Sequence, residues 1–280
     1  MTYPPTCGSH HARCGCPPPV VNGPRPYVAA GFPAMNAIAN YEGGFANGAR
    51  DGNGMATYYH LPSGGLQMLS YTGGWKRDLM DGHGVAILTD ESRYEGGWKD
   101  DKRHGNGVWT QKNGYCYEGG WSVNKKCGYG VETLTDGSRY EGGWVYNRRH
   151  GPGLMIWADG SQYEGGYKDH KRHGYGIMEY VNGDRYEGMW EEGAMKGLGR
   201  QTYANGDTFT GAFEKGHRHG YGTMIYHSGD RYNGDWRNDK MHGRGVMITG
   251  GTRLEGFWQN DILVDSVGDV LYPLFPLPPT

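Results

Sequence analysis

Five histidines recur in one local context, each followed by Gly-x-Gly: His104, His150, His173, His219 and His242. Imidazoles in a regular array are candidate metal ligands or acid–base groups. Their spacing argues against both. Each belongs to a separate sequence repeat, and equivalent residues on adjacent two-stranded units would lie ~10 Å apart, whereas zinc ligands lie ~2 Å from one shared ion. Asp51, Asp81, Cys127 and Lys196 fill the same position in other repeats, so no common chemistry depends on the ring, and the position reads as turn-stabilising. The Gly-x-Gly pairs lack the third glycine, or the Lys-Ser/Thr, of a phosphate loop. Cys7, His10, His11, Cys14 and Cys16 carry zinc-binding atoms, but at spacings that match no standard knuckle. No nucleophile, base and oxyanion donor stand out together. No catalytic residue, cofactor or bound metal is therefore expected.

Charge patterning says more. Lys102-Arg103, Lys125-Lys126, Arg148-Arg149 and Lys171-Arg172 hold the same place in four consecutive repeats, just ahead of the histidine position. Read as loop residues, they predict a positive ridge about 30 Å long on one edge. Asp136, Asp159, Asp184, Asp207 and Asp230 mark the alternate turns and predict an edge of opposite sign. The plain reading is a solvated edge that blocks aggregation. The functional reading is a site for an acidic protein segment, such as a tubulin tail, with anionic lipid as the alternative. Asp100, Asp101 and Asp169 share these loops and offset part of the charge.

The elements that position these residues follow from the period. An aromatic-x-Gly-x-aromatic block begins at Tyr41 and returns at Tyr71, Tyr94, Tyr117, Tyr140, Tyr163, Tyr186, Phe209 and Tyr232, with a variant at Leu254. After Tyr71 the spacing is 23 residues until the last step of 22, which defines an array. Alternation places Tyr94, Gly96 and Trp98 on one strand face, where a ring from a neighbouring hairpin can lie across the glycine. The expected ladder comprises Tyr94, Trp98, Tyr117, Trp121, Tyr140, Trp144, Tyr163, Tyr186 and Trp190. Second strands such as Leu154-Met-Ile156 are aliphatic, and Asp136-Gly137, Asp159-Gly160, Asn182-Gly183 and Asn205-Gly206 are hairpin turns. The prediction is all-β: an elongated, single-layer antiparallel meander of about ten hairpins, advancing about 10 Å per repeat and twisted into a trough. Trp157, Tyr180, Tyr203 and Tyr226 recur at one repeat position and are assigned to the other face as a partner-binding line.

Residues 1–40 form a Pro/Gly/Cys-containing arm expected to order on a partner, 41–260 the array, and 261–280 a Pro-rich tail or cap. The tenth block, at Leu254–Trp258, has no following Gly-x-Gly, so the array is expected to end on a single strand. Pro273–Pro276 and Pro276–Pro279 suit a polyproline segment. A net charge of -2 provides no general attraction for nucleic acid. Five cysteines, an odd number, with no apolar leader ahead of them, and no run of ~20 apolar residues, point to a reduced, cytoplasmic protein.

Tyr94-Glu-Gly-Gly-Trp98 followed by His104-Gly-Asn-Gly107 closely resembles the MORN repeat, the membrane occupation and recognition nexus motif. The resemblance covers about four-fifths of the chain. Phe45, Tyr167 and Phe213 depart from its tryptophan but keep a ring. The family includes junctophilins, lipid kinases, SET-domain proteins, ciliary radial spoke heads and protist cytoskeletal scaffolds. Without a kinase, SET domain or membrane anchor, the resemblance implies a non-enzymatic scaffold in a cytoskeletal, ciliary axonemal assembly. Its partners would be other proteins of that complex, another MORN protein among them. A peripheral tether on anionic lipid is the alternative.

Overall fold

The computed structural model describes residues 37–59, 66–265 and 269–271. The described residues are all-β, with twenty strands in two compact units that divide between Ala158 and Asp159. The first unit holds β1 (Ile38–Ala46), β2 (Ala49–Tyr58), β3 (Met68–Lys76), β4 (Leu79–Leu88), β5 (Arg93–Lys99), β6 (Lys102–Thr110), β7 (Cys116–Ser122), β8 (Lys125–Thr133), β9 (Arg139–Val145) and β10 (Arg148–Ile156). The second holds β11 (Gln162–Lys168), β12 (Lys171–Glu179), β13 (Arg185–Glu191), β14 (Ala194–Thr202), β15 (Thr208–Glu214), β16 (His217–Ile225), β17 (Arg231–Arg237), β18 (Lys240–Thr249), β19 (Thr252–Gln259) and β20 (Ile262–Val264). Within each unit every strand pairs antiparallel with its sequence neighbours. Residues 1–36, with their cysteines and histidines, and the proline motifs at 273–279 lie outside the described residues.

Turn chemistry explains the meander. At one end of each hairpin two residues adopt positive φ, as in Asp100 at 47° and Asp101 at 62°, or Val123 at 50° and Asn124 at 63°. That is the tight mirror-image turn whose twist matches the strands. At the other end Gly137, with φ of 89°, donates its N–H to Leu134 O at 3.0 Å, while Leu134 N–H reaches Ser138 O at 2.8 Å. An L-residue there would be strained.

Register then builds the ladder. Gly96 of β5 faces Gly107 of β6, and β6 carries extra residues between Arg103, opposite Trp98, and Gly107. His104 and Gly105 lie in this bulge, and a Cβ on Gly97 would stand 2.1 Å from the His104 carbonyl oxygen. Tyr94 lies across the Gly96/Gly107 pair and donates its hydroxyl to Gly97 O at 3.0 Å. Its ring meets Trp98 edge-on at 5.2 Å and Trp121, from the next hairpin, at 5.5 Å. The indole of Trp121 donates to Gly107 O at 3.1 Å, so the buried N–H is satisfied. Tyr117 with Trp121 and Trp144, and Tyr140 with Trp144, repeat this geometry. In the second unit Tyr163 and Tyr186 flank Trp190, and Tyr186 also meets Phe213.

The ends differ from expectation. β1 begins at Ile38, inside the segment assigned to the N-terminal arm. The array does not stop at β19: β20 returns against Phe257, Trp258 and Gln259, and Val264 bridges Val270. Asp261 makes this turn possible through its positive φ of 72° and a 2.7 Å bond from Met241 N–H to its carboxylate.

A methyl group added at Gly107 would stand 2.3 Å from the Tyr94 hydroxyl oxygen. Gly107→Ala is therefore expected to lower stability by ~2 kcal/mol in denaturant titration, with β5 to β7 amides losing hydrogen-exchange protection first. An unchanged midpoint would mean that the ring has other room.

Candidate functional site

Strand alternation divides each basic pair. The pairs open even-numbered strands and do not lie in loops, which corrects the expected ridge. Lys102, Lys125, Arg148 and Lys171 are exposed, whereas Arg103, Lys126, Arg149 and Arg172 turn onto the ladder face. Only two residues separate the strands of a hairpin at this end, so the second basic residue falls opposite a ladder aromatic: Arg103 faces Trp98 and Lys126 faces Trp121. Each then stacks on a ring, Arg103 4.1 Å from Trp121, Lys126 4.5 Å from Trp144, Arg149 5.0 Å from Tyr140 and Arg172 4.0 Å from Trp190. Arg50 over Trp75 and Arg218 over Trp236 do the same. Cation–π contacts of this desolvated kind stabilise by about 1–2 kcal/mol. Burial lowers the Arg103 guanidinium to about 10, still cationic at neutral pH.

These cations also mark a clasp that the sequence reading did not include. Arg103 N–H donates to Asn124 Oδ1 at 2.8 Å, and Asn124 N–H returns to Arg103 O at 3.2 Å. Lys126 with Asn147, Arg218 with Asp239 and Arg50 with Asp78 repeat the first bond. Its signal in the sequence is the Asp or Asn that returns at the second residue of the tight turn. On the opposite edge Asp184, Asp207 and Asp230 accept N–H bonds from Ala204, His227 and Gly250 of the next turn. These carboxylates lock turns together as well as charging an edge.

One repeat departs from the rest. Glu132 occupies the ladder-face position held by Trp109, Met155 and Met178 in other hairpins, and it is only 6% exposed. Its carboxylate accepts from Lys126 Nζ, from the Tyr115 hydroxyl at 2.6 Å and from Arg149 Nη2 at 3.2 Å. Burial opposes the charge, but Lys126, Tyr115 and Arg149 outweigh it and hold the carboxyl below the usual glutamate range. Lys126 also shifts down, because burial and the neighbouring Arg149 and Arg103 outweigh its single anion. One carboxylate thus serves two half-buried cations.

The face assignment of Trp157, Tyr180, Tyr203 and Tyr226 is also corrected. Met178 is opposite Tyr186, so Tyr180, two residues on, shares the ladder face. Tyr203 likewise comes two residues after Gln201, which is opposite Phe209, and donates its hydroxyl to the Gln201 side chain at 3.2 Å. All four are half-buried, and burial pushes the Tyr226 phenol up to about 12. The opposite face carries the central residue of each Gly-x-Gly instead. Tyr129, Tyr175, Leu198 and Tyr221 stand there exposed, Leu198 by 73% and Tyr221 by 63%. Tyr129 and Tyr175 lean over to donate their hydroxyls to Glu141 and Glu187. In the second unit Tyr221, Arg244, Val246 and Phe257 line an open depression of about 350 Å³ on this face. Sequence reading missed this row because the segment ahead of each Gly-x-Gly reads as a loop, whereas the strand already begins at the basic pair.

Among the described residues no three His, Cys, Asp or Glu side chains converge as a metal site, and no helix is long and apolar enough to cross a membrane. The recurrent histidines stay on separate hairpins, at the bulges.

Paired hairpins, a tyrosine over each glycine pair and a bulge at His-Gly are the structural content of the repeat. The MORN repeat profile matches residues 41–59, 71–93, 94–114, 117–139, 140–162, 163–185, 186–208, 209–231 and 232–252. The chain belongs to the MORN-repeat family. The block at Leu254 falls beyond the last match but still forms β19. No curated protein matches the sequence. Similar solved structures include the TCP domain of Drosophila melanogaster SAS-4 (dCPAP) in complex with a proline-rich motif of Ana2 (dSTIL). It is 14% identical, covers 55% of this chain and 88% of its own, and has a TM-score of 0.33. The TCP10 domain of Danio rerio CPAP is 11% identical over 68% of this chain and 91% of its own, with a TM-score of 0.35.

Glu132→Met leaves Lys126 and Arg149 without their anion and is expected to cost ~3 kcal/mol, read from hydrogen exchange of β7 to β10. The lowered Glu132 carboxyl contributes stability that is complete above the ordinary glutamate range and disappears as pH falls through its own lower value. Lys126 works oppositely, its buried charge being relieved only at high pH. Acid titration of the wild type should therefore show a loss of protection in these strands that the variant lacks. Equal acid sensitivity in both proteins would assign the loss elsewhere.

Proposed function

We propose that the chain is a non-enzymatic scaffold of a cytoskeletal assembly, and that it docks protein partners on the face opposite the aromatic ladder. The observation that carries this reading is the exposed row: Tyr129 in the first unit, and Tyr175, Leu198 and Tyr221 in the second. A large apolar or aromatic side chain left in the solvent at this position in four hairpins, three of them consecutive, costs solubility, which favours an interaction surface. Aromatic residues are preferred anchors at protein interfaces. A ciliary axonemal location, in a radial spoke head with another MORN protein as neighbour, is the finer reading. It rests on the resemblance to members of the family with that role.

The lipid tether is the weaker reading on electrostatic grounds. Arg103, Lys126, Arg149 and Arg172 are stacked on ladder rings, so half of the eight paired cations are withdrawn from any membrane surface. Of the remainder, Lys171 is paired with Glu192 and Lys125 lies 5.2 Å from the Tyr146 ring. Each cation near an anionic leaflet is worth only ~1 kcal/mol, and no apolar wedge accompanies these.

Replacing Tyr175, Leu198 and Tyr221 together by Ser is expected to abolish co-sedimentation with detergent-insoluble cytoskeleton and to leave thermal unfolding unchanged. Normal incorporation of the folded triple variant would remove this face from consideration. Binding to phosphatidylserine vesicles at physiological salt is expected to be negligible. Salt-resistant binding that Lys125→Glu with Arg148→Glu eliminates would favour the tether.

A further inference from the structure

Trp75, Trp98, Trp121 and Trp144 each meet a tyrosine on both sides and are buried. Phe45 holds the same repeat position on β1. Tyr41 is the only ring it meets among the described residues, at 5.1 Å; Arg50 lies opposite it on β2, and Phe45 is 64% exposed. β1 pairs with β2 on one side, and among the described residues no strand pairs with its outer side. An outer strand normally carries lysine, proline or another block against further pairing. β1, Ile-Ala-Asn-Tyr-Glu-Gly-Gly-Phe-Ala, has a single charge and no proline.

We infer that β1 is a dimer interface, at which two copies of this chain pair β1 against β1, antiparallel, about a twofold axis through Gly43. The sequence is self-complementary about that residue. Tyr41 and Phe45 lie two positions to either side, so Tyr41 of one copy falls opposite Phe45 of the other, on the same face. Glu42 falls opposite Gly44 and Asn40 opposite Ala46, so no like charges meet. Moving the axis to Glu42 would set the two carboxylates against each other, which disfavours that register. Gly43 already faces Gly54 across β2, and a Cβ there would lie 2.5 Å from the Gly54 Cα, so the strand tolerates glycine facing glycine.

A twofold needs one patch that complements itself, whereas head-to-tail growth needs two different complementary ends. Among the described residues the outermost strand at the far end of the second unit is the three-residue β20, too short to match the nine residues of β1. Pairing therefore closes at two copies. One strand pair with a single ring contact per side buries less than a standard interface, so micromolar association is expected. The inference is independent of the docking face proposed above.

Sedimentation velocity on the full chain from about 1 to about 200 µM, a range that brackets micromolar association, is the test. The 31.0 kDa species should convert reversibly to twice that mass. Phe45→Lys, at an exposed site, should weaken the dimer at least tenfold with unchanged thermal unfolding. Hydrogen exchange across residues 38–46 should slow with concentration in the wild type and not in the variant. A monomer throughout the range overturns the proposal, whether residues 1–36 or a different protein takes the edge. A dimer that ignores Phe45→Lys, or forms without protecting β1, overturns it equally.

Discussion

A tyrosine ring lies flat on a β-sheet only where the strands beneath it have no side chains, and this constraint organises the whole repeat. Gly96 and Gly107 must face each other so that Tyr94 can cross them, and the ring then holds Trp98 and Trp121 at edge-to-face distance. The contact between hairpins is thus made by aromatic quadrupoles over a glycine floor. Within each unit no helix covers either face among the described residues. Ring burial on one face therefore replaces the second layer that ordinarily encloses a sheet's apolar surface.

Two other features depend on that floor. The tryptophan faces between successive tyrosines are electron-rich, and a cation from the preceding strand covers several of them, as Arg103 does over Trp121 and Arg172 over Trp190. The same residues tie the hairpins through their backbones, with Asn124 and Asn147 accepting N–H bonds one repeat back. The positive charge conspicuous in the sequence is largely structural. The surface left for partners is the opposite face, where Glu141 and Glu187 hold Tyr129 and Tyr175 by their hydroxyls and Leu198 and Tyr221 remain exposed.

The strands, their antiparallel order and the glycine turns are legible from the 23-residue period and from Asp-Gly and Asn-Gly pairs, because local steric rules fix them. The start of each second strand is not. The segment 99–105 is polar and reads as a loop, whereas the turn is only Asp100-Asp101 and β6 already begins at Lys102. For that reason the basic pairs read as a ridge. The bulge adds two residues between Arg103 and Gly107 and so keeps parity, and alternation counted from Arg172 places Tyr180 on the ladder face once the strand is known to begin at Lys171. The short β20 is unreadable for a different reason. Three residues with no Gly-x-Gly carry no repeat signature, and their position depends on Asp261 capping the turn.

The central claim is that tyrosine and tryptophan from successive hairpins couple directly across the glycine floor. A double-mutant cycle on Tyr94 and Trp121, each replaced by Leu singly and together, measures this through unfolding free energies. Their centroids are 5.5 Å apart at an interplanar angle of 85°. The account expects a coupling of ~1 kcal/mol favouring the aromatic pair. Additive single effects, with no coupling, would show that the rings are merely buried side by side and that another interaction holds the hairpins together.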